Sequence, residues 1–125
     1  MGKLAAVALA LCLLPGCAPR NRTPEAELAE FWKAMAAGDR DGVLRTMAYY
    51  EPGMTSDYIW VPAGIEWLRL DSVTAVYESE DRARLYYQVV FKMRNQTKTT
   101  RYGTGTLMVR RNGYWRVGRA IGGPD

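Results

Sequence analysis

The chain has 125 residues, with 17 Lys and Arg against 13 Asp and Glu (net charge +4), two Cys and no His. That length supports one domain and excludes a two-domain enzyme, and 48% apolar with 24% charged residues is the balance of a globular domain and not of a disordered chain. Without His, all Ser-His, Cys-His and His-ligated metal chemistry is excluded.

Met1-Gly2-Lys3 is a short basic start, and Leu4 to Leu14 is an uncharged run of eleven residues. As a helix rising about 1.5 Å per residue it falls well short of a bilayer core of roughly 30 Å. It reads instead as the apolar region of a signal peptide over 1–16. The run ends in Leu14-Pro15-Gly16-Cys17, which resembles the lipobox of bacterial lipoproteins. The resemblance implies that Cys17 receives a diacylglycerol, becomes the new N-terminus and holds the protein to the cell membrane, facing periplasm or exterior. An ordinary cleaved signal with an incidental Cys is the alternative. Cys12 follows Leu11, which is not small, and is the poorer candidate. With Cys17 acylated and Cys12 removed, no thiol is left for a disulfide framework. Residues 17–22 read as a tether, whose Arg20 and Arg22 would add at most about 1 kcal/mol each against anionic headgroups.

The folded domain is expected over 23–122, with 123–125 a short tail. Thr23-Pro24 reads as an N-cap followed by Pro at the first helical position, with Glu25 and Glu27 near the positive helix end. Leu28, Phe31, Trp32 and Met35 recur on one face of this helix, and Gly38 stops it. Asp39 caps a second, shorter helix with Val43, Leu44, Met47 and Tyr50 as its apolar positions, broken by Glu51-Pro52-Gly53. Residues 54–64 read as an irregular connection or a short strand.

From Ile65 the apolar period becomes two, giving strands over about 65–78, 82–94, to about 111, and 114–121. The first strand changes parity between Leu70 and Val73, where a bulge would reconcile its faces. Asn112-Gly113 marks a type I′ hairpin, which sets Met108 opposite Val117 and Thr106 opposite Arg119. A two-residue loop at Asn95-Gln96 sets Val89 opposite Tyr102 and Leu85 opposite Thr106. Cross-strand partners share a face, so Ala83, Leu85, Tyr87, Val89, Phe91 and Met93 point inward with Thr100, Tyr102, Thr104, Thr106, Met108, Arg110, Trp115, Val117, Arg119 and Ile121. Two helices on one face of a curved four-stranded antiparallel sheet make an α+β domain.

Two stretches carry a family resemblance. Phe31-Trp32-Lys33-Ala34-Met35-Ala36-Ala37-Gly38-Asp39 is similar to the first helix of the nuclear transport factor two-like superfamily, and Asn112-Gly113-Tyr114-Trp115-Arg116-Val117 to its closing hairpin. The resemblance implies a sheet wrapped around helices, often with a pocket in the cone between them and often with sheet-to-sheet dimers.

Tyr87, Tyr102, Thr104, Thr106 and Arg119 form the candidate ligand pocket, with Arg119 at its polar end for an anionic or hydroxylated molecule. A buried Arg needs a partner, and a salt bridge to Glu27 or Glu30 is the competing role. Enzymes of the resembled superfamily use pocket Asp, Tyr or His groups; here no acid falls inward on strands two to four, and Asp57 or Asp71 would serve only if 54–73 folds over the cavity. The aromatic set Tyr49, Tyr50, Tyr58, Trp60 and Trp67 reads mainly as core, but an exposed Tyr58-Ile59-Trp60 would mark a contact site.

Charge is segregated along the chain. Residues 23–81 carry 4 basic and 12 acidic groups, a net −8, while 82–125 carry 10 and 1, a net +9. Much of this can cancel internally; the sharper expectation is a basic outer sheet face of Arg84, Lys92, Arg101 and Arg116, for anionic lipid, cell-wall polymer or an acidic protein patch. Gly103 and Gly105 on that face would admit a second subunit, unless they only let the strand bend.

The expected function is a lipid-anchored envelope protein that binds a partner or scaffolds an assembly through the sheet, with small-ligand binding as the alternative and catalysis third. No metal, cofactor or nucleic acid is expected. Mass spectrometry of the protein purified gently from membranes should find Cys17 acylated at a new N-terminus; a retained leader or an unmodified Cys17 contradicts the anchor.

Overall fold

The computed structural model describes residues 23–122. The leader, Cys17, the tether and residues 123–125 lie outside them.

Helix α1 spans Pro24–Ala37 and α2 Arg40–Thr46; strands β1 Ile65–Ser79, β2 Arg82–Met93, β3 Thr99–Arg111 and β4 Tyr114–Ala120 follow. The caps are those the residues dictate. The Thr23 side chain accepts from the Ala26 amide, Gly38 adopts the left-handed conformation at the end of α1, and the Asp39 side chain accepts from the Gly42 amide. Residues 54–64 form no regular element.

The strands form one antiparallel sheet in the order β1-β2-β3-β4. The β2–β3 ladder runs without a break, with Val89 opposite Tyr102 and Leu85 opposite Thr106 as expected. The loop between them is wider than two residues, because the strands part after the Lys92–Thr99 pair, but its parity keeps the register. Asn112 and Gly113 both have positive φ (53° and 82°), as the tight hairpin requires.

Both edge strands carry bulges. In β1 the register shifts between Asp71 and Thr74, with Ser72 at φ 57°, so Leu68 and Leu70 face inward before the bulge and Ala75 and Tyr77 after it. In β4 the shift falls at Gly118: Met108 pairs with Val117, but Leu107 pairs with Arg119 and Thr106 with Ala120. A Cβ at position 118 would stand 2.9 Å from the Leu107 carbonyl oxygen, so the bulge needs glycine there. This corrects the expected Thr106–Arg119 pairing, since one extra residue turns the side chain after it to the other face.

The main core joins Leu28 of α1 to Ala83, Leu85, Tyr87, Val89, Met108, Trp115 and Val117 of the sheet, with Phe31 and Trp32 packed on it. Helix α1 makes the main contact with the sheet, reaching from β1 to β4. The general architecture is the expected one, two helices with a four-stranded antiparallel sheet. The short α2 buries Val43 and Leu44 with Ile59, against Phe31 and Met35 of α1. The Ala48 amide then bonds the Val117 carbonyl and covers part of the β4 edge.

Candidate functional site

The centre of the layer between α1 and the sheet is closely packed, with Leu28, Leu85 and Met108 fully buried. Within it the Tyr87 hydroxyl accepts from Trp32 Nε1 at 3.0 Å and lies 2.6 Å from Thr106 Oγ1, so the two polar groups expected to line a ligand pocket satisfy each other and the helix. Burial pushes the Tyr87 phenol above its ordinary value of 10, with the two hydrogen bonds acting against that rise. Thr104 is half-buried and Tyr102 is 42% exposed, its ring edge-on to Phe91. Arg119, placed by the Gly118 bulge, is exposed on the opposite face beside Leu107. The five expected pocket residues therefore do not form one site.

Space opens where α1 stops covering the sheet. A helix of 14 residues is about 21 Å long, against about 40 Å for the 12 residues of β2. Beyond it lies an apolar pocket of about 150 Å³ between Trp32 and Met35 of α1, Trp60 and Pro62 of the connection, and Ile65, Leu68, Val89, Phe91, Met93 and Tyr102 of the sheet. Burial raises the Tyr102 phenol pKa also. Trp60 is 74% exposed and Tyr58 is 56% exposed, while Ile59 between them is buried at 8% and pins the segment to α2. Tyr58 and Trp60 are therefore not core, the role mainly expected of the aromatic set, while Ile59 is. Most of the pocket wall had no distinctive sequence signal, because the hydrophobic alternation that builds its strands is that of any core; only Tyr58-Ile59-Trp60-Val61-Pro62, apolar residues crowded into an irregular connection, could have pointed to it.

The outer face is basic in sequence and paired in space. Arg84 bonds Glu78 at 2.9 Å, Lys92 bonds Glu66 at 2.6 Å, and Arg101 reaches Asp71 at 3.1 Å and also bonds Gln88. Arg116 turns over the Tyr114 ring to Glu27 of α1 at 2.7 Å, taking the ion pair imagined for Arg119. The structure thus favours the expected internal cancellation over the basic outer face: acids of β1 lie beside basic β2, and antiparallel pairing brings them together. Each exposed pair is worth under about 1 kcal/mol. Asp71 is held below the usual carboxylate range by Arg69 and then Arg101, on the face away from the cone. Gly105 gives room to the segment after β4, for a Cβ there would stand 2.2 Å from the Gly122 carbonyl oxygen.

Among the described residues no group of three or more His, Cys, Asp and Glu is placed to hold a metal ion, and no helix is long and apolar enough to cross a membrane. No protein-family model matches the chain, and a search of curated proteins finds no match. Among solved structures it is similar to the solution structure of a SEC-C motif containing protein from Rhodopseudomonas palustris, at a TM-score of 0.59 and 16% identity over 87% of this chain and 89% of that one. The likeness at this identity is one of fold.

Tyr87→Phe should cost about 1–3 kcal/mol in chemical denaturation, since it strands Trp32 Nε1 and removes the Thr106 partner. Folding raises the Tyr87 pKa, so its contribution is present below pH 10 and lost as pH climbs through the raised value. The Phe variant should show a smaller alkaline loss than the wild type. Equal stability of the two proteins at neutral pH would mean that the hydroxyl does not fasten α1.

Proposed function

We propose that this chain is a membrane-anchored envelope lipoprotein whose nuclear transport factor two-like domain is a non-enzymatic interaction module, with the apolar pocket beside Trp60 as its recognition site. The anchor rests on Leu14-Pro15-Gly16-Cys17. The superfamily assignment is supported by the α1–Gly38–Asp39 junction and the Asn112-Gly113 hairpin, each at its expected place in an α+β layer.

The observation that carries the reading is a ring-sized apolar pocket under a largely exposed tryptophan. Its volume of about 150 Å³ is that of some five waters and well below the roughly 300–1,000 Å³ of a small-molecule site. That size suits one aliphatic or aromatic side chain of a partner protein. Exposed Trp and Tyr at a pocket rim are the residue types that anchor protein contacts. The lining carries no carboxylate, which supports binding over proton transfer. The outer face contributes less to this reading than its composition suggests, since its cations are engaged by acids of the same chain.

A photo-crosslinking residue at position 60, placed in the full-length protein in intact membranes, should give one discrete protein adduct. The adduct should disappear when Ile65→Trp fills the pocket, and a crosslinker at Thr99 should not form it. No adduct at 60, or the same adduct from both positions, contradicts the pocket as the recognition site.

A further inference from the structure

We propose that Arg82, Arg84 and Arg119 form an anion site for a phosphate group on the outer sheet face, and that the phosphate is that of a membrane lipid headgroup. The lipid source rests on the anchored reading above; the anion site does not.

Along the rest of the face one acid meets one or two cations: Glu66 with Lys92, Glu27 with Arg116, Asp71 with Arg69 and Arg101. At this corner three guanidinium groups surround one carboxylate. Glu78 bonds Arg84 at 2.9 Å, lies 3.9 Å from Arg82, and feels Arg119 at longer range. These side chains and Tyr86 enclose a groove of about 290 Å³, floored by Leu107. The formal charges of the residues that line it sum to +2.

The fold builds this excess by a specific device. Arg84, Leu107 and Arg119 form one cross-strand row, so Arg84 and Arg119 flank Leu107 at about 10 Å from each other. Arg119 joins the row only because Gly118 is an extra residue in β4; without the bulge it would face the core opposite Thr106. A bulge sacrifices regular pairing and here also demands glycine. What it delivers is a third arginine beside the first two, while Glu78 holds Arg84 in place. Guanidinium groups bind phosphate oxygens with paired N–H donors, and Arg119 has no salt bridge of its own among the described residues.

The position of the corner favours a lipid. The Tyr77 hydroxyl donates to Glu25 in the first turn of α1 at 3.4 Å, so the chain enters the domain at the same end of β1 as Glu78, on the other face of the sheet. From Cys17 to Thr23 the chain extends at most about 20 Å. An acyl anchor at Cys17 therefore keeps this corner within reach of the headgroup layer, where local phosphate is concentrated.

The test uses the full chain in neutral bicelles, with arginine Nε–Hε signals read by NMR and acylation of Cys17 read by mass on the same sample. Inorganic phosphate should shift Arg82, Arg84 and Arg119 together and saturably. Arg119→Met should weaken that binding about tenfold, the loss expected for one charge-assisted hydrogen bond; Arg82→Glu should do the same, and the remaining spectrum reports that each variant is folded. Bicelles containing phosphatidylglycerol should reproduce the shifts without free phosphate. If phosphate shifts none of the three, or shifts exposed arginines indiscriminately, the anion site is overturned. A response to phosphate but not to phosphatidylglycerol overturns the headgroup as ligand. Shifts by phosphate on a chain whose Cys17 is unmodified would sink the anchored reading and leave the anion site standing.

Discussion

The unbroken pairing of β2 with β3 is the constraint on which the rest of the structure depends. Because side chains alternate along a strand, the single pair Val89–Tyr102 decides which face every residue of both strands occupies. It stacks Ala83, Leu85, Tyr87 and Val89 beside Thr106 and Met108 on the side that α1 covers. It also sets Tyr87 and Thr106 close enough to share a hydrogen bond and, through Trp32, to fasten the helix. A polar group buried without such a partner would cost more than the bond contributes, so the network selects one helix position as well as stabilising it. The flanking strands are freer, and both use that freedom to carry bulges.

Much of the frame could be read from residue types because local chemistry and global pairing agree. Thr23, Gly38 and Asp39 act as caps where their side chains and backbone preferences say they should. Asn112-Gly113 makes its turn, and the parity break in the first strand becomes the bulge around Ser72. The β4 bulge was not legible: Gly118 is one of 12 glycines, and nothing local distinguishes a glycine that admits an extra residue from one that merely tolerates a strand. That one omission moved Arg119 from the cone to the outer face. The ion pairs were half legible, since charge segregation announces that acids and bases must meet without saying which pairs form. The apolar pocket was hidden because its depth depends on where α1 ends relative to the strands, a length relation between elements distant in sequence.

The resulting molecule separates two chemistries. Around the Tyr87–Thr106 network the interior is closed and satisfied, with no buried side-chain nitrogen or oxygen left unpartnered among the described residues. An apolar pocket lies beside Trp60 and Tyr102. On the outer face, Lys92, Arg101 and Arg84 are paired with acids of β1, while Gly118 adds Arg119 to the corner that holds Arg82 and Arg84. A formal charge of +4 for the whole chain therefore describes neither face. Among the described residues the domain thus carries an apolar notch with no carboxylate in its lining and, on the opposite face, a cationic corner.

The central claim is that usable apolar space exists at the mouth of the α1–sheet layer and not in its centre. Xenon enters dry apolar cavities of this size, so methyl NMR of the full chain under xenon pressure tests it directly. Shifts confined to Met35, Ile65, Leu68, Val89 and Met93 are the predicted result. Shifts centred on Leu28, Leu85 and Met108, the fully buried heart of the core, or no shifts at all, would contradict it.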